Sequence, residues 1–125
     1  MHSNINTILI PNLNGIYVID ISSIIRIEAV SSYSKVFLSD GKKIVVSKVL
    51  RQMEAMLADK GFTRVHRSHL VNTAWIRAYH LNQLKITLNN EEQVCISRRR
   101  SSVIRKTLSD QRAAWLNKQK MLVTA

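Results

Sequence analysis

Short apolar runs separated by polar turn residues fill the first half of the chain. Runs rich in Ile and Val predict strands over residues 8–10, 16–21 and 24–29. Two more strands are predicted over residues 34–39 and 42–46. They flank Asp40-Gly41, a dipeptide typical of a tight hairpin turn. This half of the chain is therefore expected to form small sheets.

The spacing of apolar residues changes after residue 46 and predicts a central helix. One stripe at helical spacing contains Val49, Leu50, Met53, Met56 and Leu57. Ser47 is a candidate N-cap, and Gly61 is a natural C-terminal stop. We therefore expect a helix of about three turns, since most helices in globular proteins have this length.

The second half returns to the strand pattern and ends in a helix. Strands are predicted over Phe62–His66 and Ile76–His80, with an irregular or single-turn segment up to Asn72 between them. A second hairpin is predicted over residues 84–88 and 93–97, joined at Asn89-Asn90. A final helix is expected from Arg99 or Arg100. Its apolar face contains Ile104, Leu108, Trp115 and Leu122.

These elements predict one mainly β fold with two helices, a β-rich α+β class. A chain of 125 residues is long enough for one domain and a modest core. We divide it into a domain over residues 1–108 and a C-terminal helical extension over residues 109–125.

The charge of the chain narrows the class of partner. The formal net charge is +11, and residues 96–125 hold eight basic side chains against the single acid Asp110. Such a run is most often a solvated helix face. Here three consecutive arginines, 98–100, stand at a strand-to-helix junction, where their mutual repulsion is costly without a polyanion. This favours nucleic acid or another anionic surface.

Other classes of function find little support in the residues. A single cysteine excludes an internal disulfide framework, and neither a membrane span nor a signal peptide is recognisable, so a cytoplasmic protein is expected. The acids form no convincing catalytic pair, and no nucleophile motif or glycine-rich phosphate loop is present. His66 and His69 lack further residues at ligand-like spacing for zinc. We expect neither an enzyme nor a cofactor or small-molecule substrate.

Three side chains are the best candidates for reading DNA bases. Arg99 has a planar guanidinium that can pair bidentately with guanine, and a helix N-terminus is otherwise a poor position for a cation. His66 and Arg67 follow an apolar strand, where side chains leave the core. A lone histidine there would more often be a packing residue, but the Arg-Ser that follows favours a DNA contact.

Two motifs give the chain a family likeness. The string FTRVHRSHLVN, followed by VCISRRRSSVIRKTL, resembles the LytTR DNA-binding domain of bacterial transcription regulators. The upstream segment DISSIIRIEAVSSYSKVFLSDGKKIVVSKVLRQMEAML fits the same pattern, and the resemblance covers residues 7–108. It implies an elongated stack of small, mostly antiparallel β-sheets that inserts loops into successive major grooves. A receiver domain, common in this family, is not expected here.

The resemblance also implies site residues and partners. The expected base contacts are His66 and Arg67 in one loop, Arg99 in a second, and Ser34 or Lys35 in a third loop over residues 31–35. The expected phosphate contacts are Arg98, Arg100, Ser68, Arg64 and Lys106. The expected partner is double-stranded promoter DNA carrying direct repeats, with two protomers on each site and no membrane.

Two alternatives remain open at this stage. The same charge could serve a sequence-neutral nucleic-acid or RNA-binding protein. Alternatively, the basic amphipathic tail could dock on an anionic membrane or a partner protein, since Trp115 and Leu122 flank Lys118 and Lys120.

Overall fold

The computed structural model of the chain describes residues 6–12 and 14–124, without the side chains of residues 123 and 124. The ends of the two predicted domain ranges, residues 1–5 and 125, lie outside the described residues. Within the described residues there are ten strands and two helices: β1 Thr7–Asn12, β2 Gly15–Asp20, β3 Ile24–Val30, β4 Tyr33–Leu38, β5 Lys43–Val46, α1 Leu50–Met56, β6 Phe62–His66, β7 His69–Asn72, β8 Ile76–His80, β9 Lys85–Leu88, β10 Gln93–Cys95 and α2 Arg98–Thr124. The predicted β-rich class with two helices is confirmed.

The strands form three antiparallel sheets. β1 and β2 make a two-stranded hairpin, β10-β9-β8 a three-stranded sheet, and β5-β4-β3-β7-β6 a five-stranded sheet. β3 lies at the centre of the largest sheet and pairs with β4 on one side and β7 on the other. Distant parts of the chain therefore meet along β3.

Two buried clusters lie on opposite sides of β3. Ile24 and Ile27 belong to a cluster shared with the β1–β2 hairpin and α1. Ile25 belongs to a second cluster, shared with the three-stranded sheet and the start of α2. A strand that is buried on both faces has a continuous run of apolar residues. Residues 24–27 form such a run, interrupted only by Arg26.

The central helix is shorter than predicted and begins later. α1 has seven residues, and Val49 rather than Ser47 is its N-cap, with the Val49 N–H donating to Gln52 Oε1 at 3.0 Å. The Lys48 carbonyl accepts a hydrogen bond from the Ser34 hydroxyl at 2.6 Å. This bond ties the chain to β4 just before the helix, which accounts for the later start.

The segment expected to be irregular before Asn72 is the strand β7. It pairs with β3 and β6, and Leu70 and Val71 in it are fully buried. A four-residue strand is too short to show a periodic pattern, so tertiary pairing rather than local sequence determines it.

The terminal helix is continuous from Arg98 to Thr124, one or two residues longer at its start than predicted. Ile104 on its predicted apolar face is buried, and Leu108 packs against the second cluster. Farther along the same face, Trp115 is 59% exposed and Leu122 is 65% exposed. The face is therefore covered by the domain only in its first part.

Replacing Asn72 with Ala should strongly destabilise the fold. The buried Asn72 amide donates to the Ile24 carbonyl at 2.9 Å and accepts from the Ala74 N–H at 3.0 Å, joining β7 to β3. Each buried group left without a partner costs about 1–3 kcal/mol. We expect the free energy of unfolding in urea to fall by about 2–4 kcal/mol.

Asn90→Ala is the matched control for this substitution. Asn90 is exposed, and its side chain bonds only within its own turn, to Glu92. Its loss should cost below about 1 kcal/mol. Equal losses for the two variants would contradict the bridging role of Asn72.

Candidate nucleic-acid interface

The turn between β6 and β7 presents the first group of candidate residues. His66 lies opposite His69 in the hairpin, which leaves Arg67 and Ser68 as the two turn residues. The Ala29 N–H of β3 donates to the Ser68 carbonyl at 2.9 Å. The turn is therefore held by the neighbouring strand, and the exposed Arg67 projects from a supported backbone.

Arg64 holds the same turn in place through hydrogen bonds to its backbone carbonyls. Its Nε donates to the His66 carbonyl at 2.8 Å, and its Nη2 donates to the Arg67 carbonyl. Its Nη1 pairs with Glu54 of α1 at 2.9 Å, and only 14% of its side chain is exposed. Since all three nitrogens bond within the protein, Arg64 holds the turn in position, and a phosphate contact from its remaining N–H groups stays a prediction.

The hydrogen bonds around His66 determine which nitrogen carries its proton. The Ser68 N–H donates to His66 Nδ1 at 3.0 Å, so Nδ1 is an acceptor. In the neutral ring the proton is then on Nε2, which can donate to a base edge. The ring of His69 lies 5.2 Å from that of His66. Burial lowers the pKa of His69, and His66 and Arg26 lower it further, whereas Glu28 raises it. The net lowering of the pKa favours a neutral His69 ring.

The start of α2 presents the second group and is joined to the first. The Ser97 hydroxyl accepts from the Arg100 N–H at 3.1 Å and caps the helix. The Ser97 N–H donates to the Val65 carbonyl at 2.9 Å. Because Ser97 precedes Arg98 and Val65 precedes His66, this backbone bond brings the two groups side by side.

The basic side chains at the start of α2 differ in exposure. Arg98 and Arg99 are exposed, whereas Arg100 is half-buried and lines a groove that Arg64 also lines. Lys106 is exposed and lies seven residues after Arg99, on the same side of the helix. Among the described residues, the ion pairs include none of Arg67, Arg98, Arg99, Arg100 and Lys106. Their charge is therefore not offset by an ion pair within the part of the chain that the structure describes.

The third predicted contact resolves into one residue. Ser34 is fully buried, and its hydroxyl donates to the Lys48 carbonyl, so the structure favours Lys35 over Ser34 as the predicted base contact. Neighbouring strand residues point to opposite faces, which turns Lys35 the other way. Lys35 is half-buried and pairs across the sheet with Glu28, which in turn pairs with His69. Lys35 therefore shares a face with the β6–β7 turn.

Sequence reasoning missed the residues that position the site. Ser97 and Glu54 carry no motif, and their roles come from contacts between elements far apart in the chain. Arg64 was recognised only as a cation. Its alternation with buried Val65 in a strand offered a signal, since that places Arg64 on the face opposite to the second core cluster.

The described part of the chain shows neither a metal-binding cluster nor a membrane-spanning helix. Residues 6–12 and 14–124 contain no group of three or more His, Cys, Asp or Glu side chains that could hold a metal ion. No helix within those residues is long and apolar enough to cross a bilayer.

Comparison with known proteins identifies the fold and the family of the chain. Among solved structures, the chain is similar to the LytTr DNA-binding domain of a response regulator from Bacillus cereus, with a TM-score of 0.71 and 23% identity over 84% of this chain and 98% of that one. No curated protein sequence matches significantly. The model of the LytTr DNA-binding domain family matches residues 14–109, more than half of the chain. The chain therefore belongs to the LytTR family of DNA-binding domains.

Proposed function

We propose that this protein is a transcription regulator that recognises a specific sequence in double-stranded DNA. The β6–β7 turn and the start of α2 enter the major groove and read short direct repeats, with two protomers on each site. Phosphate contacts supply most of the affinity, and contacts to base edges supply the specificity. This role needs no cofactor and no catalysis, and a chromosomal target lies in the cytoplasm.

The backbone hydrogen bond from Ser97 to Val65 is the observation that carries the proposal. It joins the turn bearing His66 and Arg67 to the helix start bearing Arg99. A group that reads bases must be held in a fixed position, because a hydrogen bond weakens steeply when it is misaligned. A sequence-neutral binder requires only charge, and the bracing of this turn by Arg64 and Ala29 would serve no purpose in it.

Each base-reading residue has a chemical role in the proposal. Arg67 and Arg99 present guanidinium forks that match O6 and N7 of guanine. His66 donates through Nε2 to an acceptor on a base edge. Lys35 supplies a third contact from β4, on the face shared with His69.

The phosphate contacts come from residues around these groups. Arg98, Arg100, Ser68 and Lys106 fill this role in the proposal, and Arg64 can add a contact through its remaining N–H groups. If about six phosphates are neutralised in all, the logarithm of the association constant should fall with the logarithm of salt at a slope near −5.

Selection of bound duplexes from a random DNA pool tests the proposal directly. At about physiological salt, we expect enrichment of a short motif repeated in one orientation about one helical turn apart. Retention that only fades as salt rises, with equal affinity for single-stranded DNA and RNA, would identify a sequence-neutral binder instead.

Arg99→Ala should weaken binding to the selected duplex by about 1–3 kcal/mol and relax the preference at one base pair. Lys106→Ala is the control on the same helix face. It should weaken binding to selected and random duplexes alike and reduce the salt slope by about 1. Fluorescence anisotropy titrations with both duplexes distinguish the variants. The base-reading role of Arg99 fails if its replacement weakens both duplexes equally.

Arg64→Lys keeps the charge but removes the fork that holds the His66 and Arg67 carbonyls. We expect at least about a tenfold loss of affinity for the selected duplex, since misplaced contacts that cost about 1.4 kcal/mol of binding free energy lower the affinity tenfold. Affinity for random DNA and the salt slope should not change. Arg77→Lys is the control, because Arg77 pairs bidentately with Glu91 on the exposed surface. Full retention of specific binding by Arg64→Lys would refute the positioning role.

A further inference from the structure

The outer face of the β1–β2 hairpin is apolar and uncovered. Leu9 lies opposite Val18, and Pro11 lies opposite Ile16, so these four side chains share one face. Leu9 is 57% exposed, Val18 66% and Ile16 60%. The inner face carries Ile8, Ile10 and Ile19, which are buried in the first core cluster. A small sheet that is apolar on both faces has one face left for a partner.

A second uncovered apolar strip runs along the end of α2. Leu108, Trp115 and Leu122 recur at intervals of seven residues and so lie on one side of the helix. Leu108 packs on the second core cluster, whereas Trp115 and Leu122 are 59% and 65% exposed. The strip thus continues a buried face beyond the part of the helix that the domain covers. The family match ends at residue 109, where the uncovered part begins.

We propose that the α2 strip of one protomer packs on the outer hairpin face of a second copy of this chain, in a head-to-tail arrangement. The two surfaces agree in length. A six-residue strand spans about 20 Å, and the helix from residue 109 to 124 spans about 24 Å. Pro11 lacks a backbone N–H, which disfavours pairing of a further strand at the β1 edge and leaves the face for a helix.

Charge favours this pairing over one between two tails. Residues 109–125 carry Arg112, Lys118 and Lys120 against Asp110, so two tails side by side bring like charges together. Residues 6–25 contain one charged side chain, the exposed Asp20, and no Lys or Arg. Val18 and Asp20 line a groove that Asp40, Lys42 and Lys43 also line, so charge on this side of the hairpin is balanced and repels a cationic helix less than a second tail does.

The head-to-tail arrangement predicts that association continues beyond a dimer. A head-to-tail pair keeps one free strip on one protomer and one free hairpin face on the other, so further copies can add, whereas a twofold dimer is closed. One helix strip packed on a two-stranded hairpin is a small contact, so we expect the association to be weak. A head-to-tail contact, which lacks twofold symmetry, is compatible with direct repeats, whereas a twofold dimer matches inverted ones; that link alone rests on the proposed function.

Sedimentation equilibrium of the full chain without DNA tests the proposal. At concentrations up to the order of 1 mM, needed for a weak interface, the average mass should rise past that of a dimer. Val18→Lys should abolish this rise, and so should the double variant Trp115→Gln with Leu122→Gln. The controls Val45→Lys and Val103→Gln change side chains that are 57% and 61% exposed elsewhere, and they should associate like the parent.

Mixing the two defective variants gives the decisive result. Each retains the surface that the other lacks, so an equimolar mixture should form a dimer and nothing larger. A parent chain that stays monomeric throughout overturns the proposal. So does a Val18→Lys variant that still associates, which would indicate contact between two tails. Circular dichroism of each variant shows whether it is folded, and DNA binding is not involved in any of these measurements.

Discussion

One backbone hydrogen bond, from the Ser97 N–H to the Val65 carbonyl, is the contact on which the geometry of the interface depends. It joins the end of β6 to the residue that caps α2, two points more than thirty residues apart in sequence. Val65 and Ile96 are both buried in the second core cluster directly beside this bond. The same packing that stabilises the domain thus fixes the separation between the β6–β7 turn and the start of α2.

Around this contact, the protein uses its charged residues in two different ways. Arg26 and Arg64 are largely buried and neutralised: Arg26 pairs with Glu28 and Glu92 and lies 3.6 Å from the Phe37 ring, and Arg64 pairs with Glu54. The arginines at the turn and at the helix start have no such partner among the described residues. Buried pairs hold the scaffold, because a buried charge without a partner is costly. The exposed cations add to a field that attracts a polyanion.

Periodicity and turn chemistry predicted most of the fold, because residues 16–46 alternate between Ile- or Val-rich runs and turn residues such as Asp40-Gly41. They failed where tertiary contacts override local preference. β7 forms because β3 and β6 provide partners for it, and α1 starts at Leu50 because Lys48 is bonded to Ser34. The candidate cations were predicted from their side-chain chemistry, their positions at strand ends and the helix start, and the family resemblance. Some of these side chains are exposed and others hold neighbouring residues in place. The difference depends on which side of a strand faces Glu54 or Lys48, and three-dimensional packing determines that.

The charged side chains in the first turn of α2 destabilise the helix. A helix N-terminus carries a partial positive charge, and acidic side chains there normally stabilise it by about 0.3–1 kcal/mol each. α2 has no acid in its first turn and begins with three arginines, so the dipole and the mutual repulsion of the cations both act against it. The Ser97 cap and the burial of Ile104 offset this cost in the free protein. A phosphate group placed at this end would satisfy the dipole and the arginines together. The charges at the helix start are therefore better matched to a polyanion than to water, which supports the proposal that this end of the molecule contacts DNA.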